Sequence, residues 1–175
     1  MVKGTCTLVR GAGSRAGRDC GRANDKPLCV RCSQIISPEL SIGVIAVERL
    51  LPLQRLIEQA RDLLPDEPMI VSLEGVLYAL MGQKGEAIDC VTRACSNPKT
   101  FGHAHHTYYQ IACTLALTGR RQPAFEWLER SVGTGFACWP FFMKDPCLQN
   151  LRGTSEFELL VSTLQAKYPD NLGVL

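Results

Sequence analysis

Long apolar runs are missing from this 175-residue chain. Stretches such as 42–47, broken by Gly43, stop far short of the roughly 18 residues that a membrane span requires. The first residues carry no apolar stretch of the secretory kind, so a cytoplasmic protein without a membrane partner is expected. Aromatic residues are few at 7%, and the formal net charge is only +2. No segment alternates apolar and polar residues over the length of a strand, which argues against a sheet. There is no Gly-rich phosphate loop, no Ser/His/Asp order and no paired-carboxylate motif. The expectations are therefore no enzymatic activity, no cofactor, no metal and no small-molecule substrate.

What is present divides unevenly. Residues 1–36 hold seven Lys and Arg against Asp19 and Asp25, a net of +5, whereas the remainder is net −3. Over 1–33, Gly4, Gly11, Gly13, Gly17 and Gly21 punctuate a string of Arg and small residues with no period. So few apolar side chains cannot offset the entropy of ordering, and a disordered basic leader is expected there. Nucleic acid could meet this leader through its charge, but no aromatic interleaving or recognition helix accompanies it. An unstructured leader is the favoured reading.

From residue 34 the pattern is helical. Ser37-Pro38-Glu39 is a helix start, with a hydroxyl cap, proline in the first turn and an early acid. Leu40, Val44, Val47 and Leu51 follow at helical spacing. Further helices are expected at about 52–64, 69–81, 85–95, 105–118, 122–132 and 155–168. Pro65-Asp66-Glu67-Pro68 and Gly82 act as stops. The fold class is all-α.

Internal similarity is the informative feature. Gly75, Tyr78, Gly82, Ala87, Val91 and Ala94 lie at offsets 0, 3, 7, 12, 16 and 19. The same offsets from Ala112 give Leu115, Gly119, Ala124, Leu128 and Ser131, a shift of 37 residues. A shift of 34 residues toward the N-terminus places Leu53, Ile57 and Ala60 at the last three offsets. Pro52 and Pro123 fall in the first turn expected for the second helix of their units. Small residues at Gly75/Ala112, Ala87/Ala124 and Ala60/Ala94 let two helices approach, and Gly82 and Gly119 end the first helix of each pair.

This pattern resembles the tetratricopeptide repeat (TPR), a helix–turn–helix unit of about 34 residues. Units are expected at about 34–67 (degenerate), 68–101 and 105–138. Glu74 is a charge outside the pattern. The tail, from His105-His106-Thr107-Tyr108-Tyr109 through Trp139-Pro140-Phe141-Phe142 to Phe157, is similar to the C-terminal repeat region of bacterial signalling proteins. Those include Ser/Thr kinases, nucleotide cyclases and winged-helix regulators. The resemblance implies antiparallel pairs stacked as a short right-handed superhelix, with residues 139–170 as a capping segment. It also implies a scaffold or regulatory module that binds a peptide or helix. An alternative is an orphan C-terminal fragment of a signalling enzyme or transcription regulator. Ser155 and Glu158 have the spacing of a capping box, and Phe157, Leu160, Val161 and Leu164 form the apolar face of the last helix.

In such arrays the first helix of each unit lines the concave groove. The resemblance therefore puts Met69, Ser72, Val76 and Ala79 beside His106, Tyr109, Cys113 and Ala116, an apolar groove with two polar handles. The bland alternative is that these side chains are closed off by the final helix. The Lys/Asn/Arg clamp with which some members hold a terminal carboxylate is missing.

Two clusters invite chemistry. Cys29 and Cys32, with Cys6 and Cys20, could supply zinc ligands or a redox pair. Yet there is only one close pair and no βαβ context, so incidental reduced thiols are favoured. Cys90, Cys95, Cys113, Cys138 and Cys147 read as small core residues. His103, His105 and His106 could ligate a metal or act as a base. Only Cys113 stands within helical reach of His106, so packing or capping is favoured.

Overall fold

The computed structural model describes residues 47–97 and 103–169. The leader with its four cysteines and the helix start at Ser37 lie outside them. Seven α-helices and no strand occur among the described residues, so the class is all-α. They are α1 (Val47–Leu63), α2 (Pro68–Leu80), α3 (Lys84–Ser96), α4 (Ala104–Leu117), α5 (Arg121–Gly133), α6 (Trp139–Lys144) and α7 (Ser155–Lys167). A 3-10 turn, Pro146–Leu148, follows α6.

Two helical hairpins, α2–α3 and α4–α5, repeat the same turn chemistry. Gly82 (φ 77°) and Gly119 (φ 86°) both take the left-handed conformation that a side chain would oppose. In the first turn Gln83 N–H donates to Tyr78 O at 2.9 Å. In the second, Arg120 N–H donates to Leu115 O at 2.8 Å. These six-to-one bonds are the Schellman closure of a helix end, and here they reverse the chain within three residues.

The close approach expected from small residues is real. A Cβ on Gly75 of α2 would stand 3.1 Å from Cys90 Cβ on α3 and 3.3 Å from Thr114 Oγ1 on α4. Three helices therefore converge at this position. Ala87, Ala112 and Ala124 are fully buried, as is Leu128. Burying a Leu or Phe side chain contributes about 1.5–3 kcal/mol. The main core runs from Val71 through α3, α4 and α5 to Phe157 and Val161 of α7. A smaller one joins Leu50 and Ile57 of α1 to Leu77 of α2.

Two local expectations are corrected. Pro52 does not open a helix; it lies inside α1. The apolar stripe Leu50, Leu53 and Ile57 crosses the proline, and its contacts with α2 hold the helix despite one missing N–H donor. Ser155 and Glu158 do not form a capping box either. The cap is Thr154, in extended backbone, whose Oγ1 accepts from Phe157 N–H at 3.3 Å, while Ser155 Oγ donates to Glu156. Helix α6 was unforeseen: it begins on Trp139-Pro140, and Trp139 Nε1 donates to Tyr168 O at 3.2 Å beyond α7.

Candidate functional site

Helices α2 and α4 lie side by side, so the eight residues assigned to a groove fall on neighbouring elements. Their environments differ sharply. Met69 is exposed, Val76, Ala79 and His106 are half-buried, and Ser72, Tyr109, Cys113 and Ala116 are buried. Ser72 Oγ donates to Gln110 Oε1 at 2.6 Å, which binds α2 to α4 and leaves no gap between them there.

What covers α4 is the segment after α5, rather than the final helix. Tyr109 meets Phe136 edge-on (centroids 4.8 Å) and stacks on Phe142 (5.7 Å). Its hydroxyl donates to Asp145 Oδ2, and Asp145 Oδ1 accepts from Cys147 N–H at 2.8 Å. Asn150 Nδ2 donates to Ala116 O at 3.0 Å, closing the far end. Burial, and then the neighbouring Cys113 and Asp145, push the Tyr109 phenol well above its ordinary pKa near 10. Burial likewise raises the Cys113 thiol, whose Sγ lies 4.0 Å from Asp145 Oδ2. The part of the expected groove contributed by Tyr109, Cys113 and Ala116 is thus occupied by the chain itself. No partner reaches it without displacing residues 136–150.

A second buried polar cluster sits at the α1–α2 junction. Glu74, the charge outside the repeat pattern, is 4% exposed. Arg61 Nη1 reaches its Oε1 at 2.6 Å and Arg93 Nη1 its Oε2 at 3.6 Å. Tyr78 OH stands 3.4 Å from Oε1 and Cys90 Sγ 3.8 Å from Oε2. Burial first and Glu74 second raise the Cys90 thiol to about 11. The carboxylate thus links α1, α2 and α3.

The open surface is elsewhere. Among the described residues seven large apolar side chains are exposed, and Leu51, Leu56, Leu63, Leu64 and Met69 account for five of them. Leu51, Leu56 and Leu63 lie on α1, Leu64 in the turn that follows it and Met69 in the first turn of α2. Leu51, Pro52, Leu56 and Leu63 fall within an arc of about 140° at 3.6 residues per turn, opposite the buried Leu50 and Ile57. Leu51, Pro52, Arg55, Leu56 and Gln59 line a shallow depression on this face. Helical spacing in the sequence puts Leu53, Leu56, Ile57, Ala60 and Leu64 on one apolar stripe, but only its Leu53 and Ile57 side meets α2, and Leu56 and Leu64 are exposed.

The three histidines stand together at the start of α4. Ring centroids are 5.5 Å apart for His103–His105, 5.7 Å for His103–His106 and 4.4 Å for His105–His106. Burial, then His106 and His103, lower His105 to about 4. Burial, then His103, also lowers His106 from 6.5. Cys113 turns away from them, toward Asp145 and Cys147. Compared with family models, curated proteins and solved structures, the chain returns no match. No helix among the described residues is long and apolar enough to cross a membrane.

Proposed function

We propose that this protein is a non-enzymatic interaction module of the TPR type, which recognises an amphipathic helix or peptide of a partner protein on the outer face of α1. The observation that carries this reading is the concentration of exposed leucines there. Leu56 is 62% exposed and Leu63 81%, on a helix whose opposite side is already buried. A helix apolar on both sides calls for a neighbour on each. The hairpin pair supports the TPR assignment: left-handed glycines and small residues recur with one 37-residue shift, Gly82 with Gly119 and Gly75 with Ala112. In such an array an exposed apolar helix face is where a further element, or a partner, adds. Arg55 and Gln59 among the leucines suit a partner helix with an acidic edge.

A photoreactive residue at position 56 or 63 of the full chain tests this, with position 159 on α7 as the exposed apolar control (Leu159, 68% exposed). A discrete heterologous adduct is expected from positions 56 and 63 and not from 159. It should disappear in Leu51→Glu protein. Equal labelling at all three positions, or adducts only between copies of this chain, would rule the reading out.

A further inference from the structure

The imidazoles of His103, His105 and His106 take no part in the face proposed above. His105 and His106 are consecutive on α4, and their rings already lie 4.4 Å apart. His103 precedes the helix, with φ −123° and ψ 46°, and its ring lies against both. One ring nitrogen from each of the three residues lies within 4.8 Å of the others. Imidazoles bound to zinc at about 2.0–2.1 Å in tetrahedral geometry have nitrogens about 3.4 Å apart. The three rings are therefore roughly an ångström or so from ligand positions, and the exposed His103 is able to make up the difference.

We propose that His103, His105 and His106 bind a divalent transition-metal ion, Zn²⁺ or a neighbour such as Co²⁺ or Ni²⁺, through three imidazole nitrogens, with the remaining coordination position open to solvent. An all-nitrogen donor set selects such ions over Mg²⁺ and Ca²⁺, which favour oxygen. The rings are also braced. Phe136 stacks on His105 (centroids 6.2 Å) and leans on His106 (5.6 Å). Ser131 Oγ donates to the His105 carbonyl at 3.0 Å, which ties the site to α5. Cys113, Asp145 and Cys147 also bring donor atoms within 4.8 Å of one another. There, however, Asp145 is already engaged by Tyr109 and the Cys147 N–H, and burial keeps the Cys113 thiol protonated.

The test uses the metal-free full chain carrying Cys6→Ser, Cys20→Ser, Cys29→Ser and Cys32→Ser, so that leader thiolates do not compete. Titration with Co²⁺ is followed by its visible d–d absorption, and with Zn²⁺ by calorimetry. One equivalent is expected, without a thiolate-to-cobalt charge-transfer band. His103→Gln, at an exposed position outside the core, should leave the circular dichroism unchanged and weaken binding at least about 10-fold. Changes merely behind a ligand cost roughly 10–100-fold. Cys113→Ala should retain the equivalent. No bound Co²⁺, an unchanged affinity in His103→Gln, or a thiolate spectrum lost in Cys113→Ala would each overturn the proposal.

Discussion

Arg61 on α1 places Nη1 2.6 Å from Oε1 of Glu74 on α2, so a half-buried cation is fastened to a carboxylate whose side chain is only 5% exposed. The two residues are not equivalent as targets. Arg61→Ala leaves Glu74 buried with Arg93 at 3.6 Å as its remaining cation. The expected cost is about 1–3 kcal/mol, the range for stranding a buried polar group. Adding Glu74→Gln should recover part of that loss. Urea unfolding of the four members of this double-mutant cycle measures the coupling, and strict additivity would contradict the assignment.

Gly75 and Gly85 give opposite expectations for the same substitution. An alanine at 75 meets Cys90 Cβ at 3.1 Å, Thr114 Oγ1 at 3.3 Å and Ala87 O at 3.4 Å. Overpacking of about 1–3 kcal/mol exceeds the helix-propensity gain of about 1 kcal/mol, so Gly75→Ala should destabilise. At Gly85, in the first turn of α3, nothing lies within 4 Å. Gly85→Ala should stabilise by a few tenths to about 1 kcal/mol. Thermal melts of the two variants should shift in opposite directions.

Tyr109 sets an alkaline limit. Its folded-state pKa is raised above the ordinary value of 10, with burial the largest cause. Below pH 10 its contribution to stability is fully present. Above that, the unfolded chain releases the phenolic proton while the folded chain keeps it, so stability falls as pH rises. Tyr109→Phe should be less stable at neutral pH, since Asp145 loses a donor, yet should show a shallower decline above pH 10. Denaturation at pH 7 and pH 10.5 separates the two effects. A wild-type alkaline slope retained in the variant would place the titration elsewhere.

Helix ends were legible because glycines and prolines act locally. Gly82 and Gly119 dictate a left-handed residue whatever surrounds them, and both hairpins follow. Small residues at repeat offsets likewise announced the approach seen at Gly75. Coverage was another matter. Offsets tell which side of α4 Tyr109 occupies, but whether that side meets solvent depends on a segment 27 or more residues later. That segment, Phe136 to Asn150, reads poorly because α6 spans only six residues, too few to display a period. The clustering of His103 with His105 and His106 rests on a backbone angle before the helix, which residue spacing does not encode.

The protonated, buried thiols have a practical corollary. Only a thiolate is alkylated readily, and Cys90 and Cys113 sit on different hairpins with raised pKa values. Each is a natural chemical clock, labelled at neutral pH only when its own surroundings open. Stacked hairpins that yield one at a time would label at two rates, and a body that opens all together would label at one.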